Sequence, residues 1–422
     1  MRVDENGNWR SFRHRNFRIL FPANALSNIG TWVQIIAQDW LVLQLTDNNG
    51  FYLGLVTAIQ FVPVMLLSLH GGVLADRVDK RKLLIATNTL AALACYALGI
   101  LVVAEVIELW HVFVCAAVLG IASAIDAPIR QSFTAEIVGD DDVANAVSLN
   151  SANFNMGRLV GPALSGILIA NFDTGPSFLI NATSYLFVIG SLFFMRSSDF
   201  FSQKKEKTLG TIREGLRYAM ARPDLYVVMA LIFFASTFGL NFQIFNALMA
   251  RGEFNKGAAS FGLLGTFIAV GSLSGALLSA RLEKQRNTMF VIRMGAVFSL
   301  VVTGLSIMPT YTLYAIWLPI CGFTALTMLI TANSLMQMHS DPAIRGRITG
   351  IYMLVFMGGT PFGSLAIGWL VEIIGVRETV ALCGGISLIG MLAIWFYYKD
   401  KVGVPTDITV EGVLPANYED PR

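Results

Sequence analysis

Four ionisable side chains, Asp39, Asp126, Arg130 and Arg158, stand inside stretches that are otherwise apolar. A charge in hydrocarbon is costly, so such residues pair with one another, face water, or handle a proton or a charged solute. Asp126 and Arg130 are four residues apart, a spacing that puts both on one face of a helix. They read either as an internal salt bridge or as a pair that opens when Asp126 takes a proton; both readings stay open, because burial and the adjacent cation pull that proton in opposite directions. Arg158 falls about 15 residues into its stretch, close to mid-membrane at about 1.5 Å of rise per residue. It is read as a coupling or substrate residue, or as the ionic partner of Asp126 or Asp39. Asp39 lies near the end of its stretch, where a rim or capping role and a proton site are equally open.

Uncharged polar residues extend this set. Asn24, Asn28, Thr31 and Gln38 share one helical face, and Ser151, Asn155, Arg158 and Pro162 share another. Asn241 stands beside a stripe of Phe234, Phe238, Phe242 and Phe245. Asn24, Asn28, Gln38, Asn155 and Asn241 are read as lining a wet cavity, with polar contacts between helices as the alternative. The phenylalanines serve packing, or a bulky amphipathic substrate if they face the cavity. Enzyme chemistry finds no footing: there is no Walker loop, and His14, His70, His111 and His339 are far apart in sequence. No enzyme activity, cofactor or metal site is expected.

The elements that must carry these residues follow from composition. Of 422 residues, 55% are hydrophobic and only 14% charged, with a mean hydropathy of +0.62. A soluble domain carries about 25% charged residues, so a lipid bilayer is the expected surrounding. A net charge of +2 gives no reason to expect nucleic acid as a partner. Cys95, Cys115, Cys321 and Cys383 lie in apolar runs and read as core residues. The Arg-rich first 18 residues do not read as a cleavable signal peptide.

Crossing about 30 Å of hydrocarbon takes about 20 apolar residues as helix, the form that satisfies its own backbone. Such runs occur at 18–45, 51–75, 82–106, 110–135, 143–171 and 175–195, then at 224–248, 258–280, 287–308, 311–337, 346–373 and 378–398. The expected fold is therefore all-α and integral to the membrane: twelve transmembrane helices in two pseudo-symmetric six-helix bundles. The expected divisions are 1–195, a linker 196–222, a second bundle 223–400 and a flexible tail 401–422. With both termini in the cytoplasm, most of the 30 Lys and Arg residues fall on the inner side, leaving Arg251, Lys256 and Arg377 outside. Within the linker, Leu209, Ile212, Leu216 and Met220 recur at helical spacing. They predict an amphipathic helix on the inner membrane surface or against a neighbouring helix.

The halves echo one another. "GGVLADRVDKRK" at 71–82 aligns with "GALLSARLEKQR" at 275–286, and "GRLVGPALSG" at 157–166 with "MGGTPFGSLAIG" at 357–368. Parallel six-helix repeats about an axis along the membrane normal are one transporter layout.

The loop Gly72-x-x-x-Asp76-Arg77-x-x-x-Arg81-Lys82 resembles the signature of the major facilitator superfamily. Asp79 stands where the family usually has Gly, an exchange expected to stiffen or re-pair the turn. Gly157, Gly161, Pro162 and Gly166 resemble the helix-5 motif of the antiporter branch. "NFRIL" (16–20), "GTWVQIIAQDWLV" (30–42) and "IDAPIRQSF" (125–133) resemble the branch of the enterobactin exporter and macrolide efflux pumps. The resemblance implies that Asp76 meets the N-terminus of helix 11, where backbone N–H groups favour an anion, with Arg345 and Arg347 adding attraction. Arg77 or Arg81 is expected to pair with Glu136. Gly72, Asp76, Arg77, Arg81, Lys82 and Glu136 would together form a latch that breaks as the inner side opens.

The resemblance further implies a proton-coupled secondary exporter of a drug-like or siderophore-like small molecule, monomeric, in the plasma or inner membrane. Its partners would be the solute, protons and the lipid bilayer. A proton-coupled importer, and a non-transporting membrane receptor or assembly factor, are the alternatives.

Overall fold

The computed structural model describes residues 7–75, 78–201, 212–281, 287–341 and 344–399. They are mostly helical, and no strand occurs among them. The first six long helices are α1 (Arg15–Leu45), α2 (Gly50–Ala75), α3 (Lys80–Val103), α4 (Leu109–Val138), α5 (Asp140–Phe172) and α6 (Gly175–Phe193). A short α7 (Ile212–Ala221) follows, then α8 (Pro223–Phe234) and α9 (Phe242–Leu248), each ending in a π-helical turn, Ala235–Gly239 and Met249–Glu253. The last five are α10 (Ala258–Arg281), α11 (Thr288–Ser306), α12 (Tyr311–Met338), α13 (Arg345–Ile374) and α14 (Val376–Lys399). Among the described residues, ten helical segments are long and apolar enough to cross a membrane. Helices α1 and α5, at 31 and 33 residues, have the length. They fall outside that set because they carry the asparagines, glutamines and acids singled out above.

Two compact units emerge. One holds Met1–Glu206 with Asn246–Thr266, the other Lys207–Phe245 with Phe267–Arg422. Helix α10 thus begins in the first unit, and α9 is divided, its first four residues in the second unit and its last three in the first.

In the first unit α2 packs on α4, α3 on α6, and α1 on both α5 and α6. The α1–α5 contact depends on glycine. A Cβ at Gly157 would lie 2.9 Å from the Asn28 carbonyl carbon, and one at Gly161 would lie 2.4 Å from the Trp32 Cβ. In the second unit the same relation recurs. A Cβ at Gly359 would lie 2.4 Å from the Thr237 Oγ1, so α13 packs closely on the π turn after α8. Helix-5 and helix-11 motifs that echo in sequence therefore occupy matching packing positions, each small-residue face held against the first long span of its unit.

The helix ends have local causes. Asp79 accepts a hydrogen bond from the Lys82 backbone N–H at 3.2 Å and caps α3. That is what the acid does in the place where glycine was expected. Gly139, at φ +71°, is the one residue between α4 and α5, a left-handed conformation open to glycine at little strain. Helix α7 docks on α13: Gly215 packs on Arg347 and Ile351, and the Glu214 carboxylate accepts from Arg347 at 3.2 Å. Of the two seats foreseen for the amphipathic helix, the neighbouring helix is the one it takes. The four cysteines are buried and free.

The seventh span departs from the regular helix expected over 224–248. It turns π-helical at Ala235–Gly239, and the Asn241 Nδ2 donates to the Thr237 carbonyl at 2.9 Å and to that of Ser236 at 3.4 Å. Asn241 therefore satisfies carbonyls freed by the break. The phenylalanine stripe is packing as well. Phe234 stacks on Phe238 with centroids 6.5 Å apart, Phe242 meets Phe298 edge-on, and Phe245 is fully buried.

Candidate functional site

The first unit carries an open cavity of about 590 Å³, within the range typical of small-molecule sites, about 300–1,000 Å³. Helix α1 supplies Asn24, Ser27, Asn28 and Thr31, and α3 supplies Thr87 and Asn88. Helix α4 adds Ser123, Asp126, Arg130, Gln131 and Thr134, α5 adds Asn150, Ser151, Phe154 and Asn155, and α6 adds Tyr185. Most lining residues bear a hydroxyl, an amide or one ion pair, while apolar carbon, including that of Ala91, Ala122, Ala127, Val147 and Phe154, forms the larger part of the wall surface. It suits an amphipathic solute, with polar groups that exchange hydrogen bonds with the wall and an apolar body against its carbon surface.

The ion pair is the one read from the i, i+4 spacing. The Arg130 Nε donates to the Asp126 Oδ2 at 2.7 Å and its Nη2 to Oδ1 at 3.0 Å. This fork-on-carboxylate geometry is the strongest form of the contact. Thr87 Oγ1 and Asn88 Nδ2 each donate to the Asp126 Oδ1 at 2.9 Å. Arg130 also donates to the side-chain carbonyls of Asn24 and Asn88. The pair thus ties α1, α3 and α4 together at the cavity wall. Thr87 and Asn88 were absent from the sequence-based set, although two polar residues side by side in the apolar run of α3 were the available signal.

Asn24, Asn28 and Asn155 line the cavity as expected, and the Asn155 Nδ2 donates to the Ser151 carbonyl at 2.8 Å. Gln38 does not. It is 2% exposed, accepts from the Gln34 Nε2 at 3.1 Å and donates to the Gln60 Oε1 at 3.1 Å. Asn181 donates to the Gln34 Oε1 at 3.2 Å and completes a buried amide chain. Gln38 lies on the same face as Asn24 but about two turns beyond Thr31, where the cavity has closed and only protein partners remain.

Arg158 pairs with neither Asp126 nor Asp39. Its guanidinium lies 5.8 Å from the Trp32 ring centroid, a cation–π contact, and Trp32 in turn meets Phe154 edge-on. No acid lies within ion-pair distance of it among the described residues. Asp39 is 5% exposed, and its Oδ2 is sealed from solvent without a donor among the described residues.

At the end of the unit that carries the signature loop, Glu136 is held by Lys80, Nζ to Oε1 at 2.7 Å. The expected pairing with Arg81 does not form. Arg81 donates to the Phe193 carbonyl and to the Ser197 Oγ, both at 3.0 Å, because its position on the first turn of α3 points it at α6 instead. Lys82 gives its backbone N–H to the α3 cap. Gly72 lies in the last turn of α2, whereas Asp76 and Arg77 fall outside the described residues. Arg347, foreseen near Asp76, is engaged by Glu214. Replacing Lys80 with Ala should lower stability by less than about 1 kcal/mol, because both groups are partly exposed. Thermal unfolding of the purified variant measures it.

Pro162, in α5, is the seat for the start of α10. A Cβ on Gly262 would lie 2.2 Å from the Pro162 carbonyl oxygen, and one on Gly166 would lie 2.9 Å from the Ala258 carbonyl oxygen. Trp40 stacks on Phe261 with centroids 6.1 Å apart, and Arg251 sits 4.8 Å above the Trp40 ring. The helix-5 motif therefore works on two sides, against α1 through Gly157 and Gly161 and against α10 through Pro162 and Gly166.

The family model of transmembrane secretion effectors, a major facilitator family, matches residues 6–407. The chain belongs to that family. It is 23% identical over 401 residues to the staphyloferrin A transporter of Staphylococcus aureus, a match that covers 94% of this chain and 99% of the relative. It is 25% identical to the multidrug efflux pump Tap of Mycolicibacterium fortuitum, over 89% of this chain and 94% of Tap. It is 22% identical to the enterobactin exporter EntS of Escherichia coli O81, over 90% and 91% of the two chains. Among solved structures, a POT family transporter in complex with 5-aminolevulinic acid superposes with a TM-score of 0.74 at 12% identity, covering 92% of this chain and 97% of that one. A bacterial homologue of the lysosomal transporter Spinster, inward-facing and unoccupied, gives 0.72 at 14%, covering 91% and 97%. These likenesses establish the fold. With the ten apolar helices they make this secretion-effector family member a multi-pass membrane protein.

Proposed function

We propose that the chain is a secondary active transporter that exports a small organic molecule by alternating access in exchange for protons. The observation that carries this reading is the 590 Å³ amphipathic cavity with the Asp126–Arg130 pair in its wall, in a chain of the secretion-effector family. A siderophore transporter and a drug efflux pump among the relatives support an outward direction and an oxygen-rich or amphipathic solute. Helices α1 and α5 complete twelve spans: their polar residues line the cavity or meet other helices, so low hydropathy is compatible with crossing. Both termini are placed in the cytoplasm by the Lys and Arg bias.

On this reading the two units tilt against one another as rigid bodies. Asp76 and its basic neighbours act as the inner latch. The protein works as a monomer with the solute, protons and lipid as its partners.

The deciding experiment is a deletion strain screened against siderophores, macrolides and dyes, with and without a protonophore. A solute retained by the deletion strain, and equally retained by the wild type once the protonophore is added, is the expected result. Equal retention by both strains without protonophore, across the panel, sinks the proposal. Uptake instead of export in oriented vesicles reverses the direction.

A further inference from the structure

A lone charge inside a membrane span is costly, so a cation there pairs with an acid, faces water or receives an anionic solute. Two guanidinium groups stand at or beside the cavity, and their surroundings differ. Both oxygens of Asp126 accept from Arg130, so that part of the wall adds no net charge. Arg158 has no such partner. Among the described residues no carboxylate lies within ion-pair distance of it, no oxygen accepts from its N–H groups, and its contact is the Trp32 ring face.

Its place follows from helix geometry. Phe154 and Asn155 line the cavity, and Arg158 follows them by four and three residues, on the same face and about 5 Å further along α5. On α1, Thr31 is the last lining residue and Trp32 comes next. The guanidinium, 5.8 Å from the Trp32 centroid, therefore stands where the cavity ends, beside the ring of Phe154, which meets Trp32 edge-on at 5.9 Å. The cation–π contact holds the guanidinium by one face and leaves its in-plane N–H groups free for an oxygen anion.

We propose that Arg158, seated on Trp32, is the anion-binding end of the cavity, and that the solute is an amphipathic organic anion. This rests on the export reading above and names the class of its solute. A carboxylate of the solute pairs with the Arg158 fork, two parallel N–H donors to two oxygens, and supplies the counter-charge that the protein does not. Its apolar body lies along Phe154 and the carbon surface of the wall. A lipophilic cation meets like charge at this end, and the acid in the wall, Asp126, is already taken by Arg130.

Two dyes test it. Fluorescein and rhodamine 123 share one xanthene frame and carry opposite charge, so the pair isolates the charge. Fluorescence polarisation of each dye against the full-length protein in neutral-lipid nanodiscs at pH 8, with empty discs subtracted, reads Kd. The wild type should hold fluorescein at least about tenfold more tightly than rhodamine 123. Arg158→Gln should weaken fluorescein at least about tenfold and tighten rhodamine 123, a gain that a misfolded protein does not give. Arg158→Lys keeps the charge and loses the fork, and should stay within about fivefold of wild type for fluorescein. Equal affinity of the wild type for both dyes, no measurable affinity for fluorescein, or undiminished fluorescein binding by Arg158→Gln overturns the proposal.

Proteoliposomes separate this inference from the reading it rests on. Proton-driven movement of fluorescein but not of rhodamine 123, lost in Arg158→Gln, is the expected result. Movement of rhodamine 123 alone overturns the anion assignment and leaves export standing. Fluorescein binding that depends on Arg158, in a protein that moves neither dye nor any solute of the export panel, upholds the anion site and removes the export reading.

Discussion

Arg130→Ala should destabilise the protein and abolish transport, and removing Asp126 as well should restore much of the stability but none of the transport. The single change leaves the Asp126 carboxylate facing two neutral donors, Thr87 and Asn88, with its cation gone. Removing one partner of a fully buried pair costs about 3–5 kcal/mol. Here the side chains are 28% and 19% exposed, so screening brings the expected loss down to about 2 kcal/mol. For a unit of this size that is a drop of about 5 °C in Tm. The double variant Asp126→Ala/Arg130→Ala leaves no stranded charge, so much of the loss should return.

Transport should fall at least about 100-fold in both variants. Asn24 and Asn88 lose the guanidinium that orients their amides, and misplaced positioning groups have effects of that order. Thermal unfolding and vesicle transport on the two single variants and the double close the cycle. A double variant as unstable as Arg130→Ala would show that the pair itself, and not the stranded charge, holds the wall.

Gly161→Ala should cost about 1–3 kcal/mol and reduce folded protein in the membrane. The added Cβ would stand 2.4 Å from the Trp32 Cβ and 3.1 Å from the Ile29 carbonyl oxygen. Both obstacles are fixed to the α1 backbone, so no side-chain rotation relieves the clash and the helices must separate, the usual cost of overpacking. Separation moves Asn24, Asn28 and Thr31 away from Ser151 and Asn155 across the cavity. Gly190→Ala on α6 is the control. Nothing lies within 4 Å of its added Cβ, so the higher helix propensity of alanine should leave stability unchanged or raise it by up to about 1 kcal/mol. Fluorescence-detected size exclusion and thermal melts compare the two. Equal behaviour would show that the α1–α5 contact tolerates a wider spacing.

The candidate site was legible where its geometry is local. The Asp126–Arg130 pair, the lining role of Asn24, Asn28 and Asn155, and the small-residue face of Gly157 and Gly161 all follow from helical spacing. Other assignments depended on more than local spacing. Gln38 has the right face, but the cavity ends before its depth. Asn241 is polar because the helix breaks beside it. The signature loop offers Glu136 four basic residues, Arg77, Lys80, Arg81 and Lys82, and the choice of Lys80 depends on where α6 draws Arg81. Of the two readings open for Arg158, the ionic partner to Asp126 or Asp39 does not form, and its guanidinium lies over an aromatic face.

Read alone, the chain determined its helical class, its apolar spans, its internal repeat and the pair on α4, because periodicity and charge exclusion act between near neighbours along one helix. Only the tertiary structure decided which polar groups share a cavity and which acid is left without a donor. Those outcomes depend on side chains far apart in sequence, such as Asn24 and Arg130, 106 residues apart, and no local pattern encodes the distance at which separate helices finally meet.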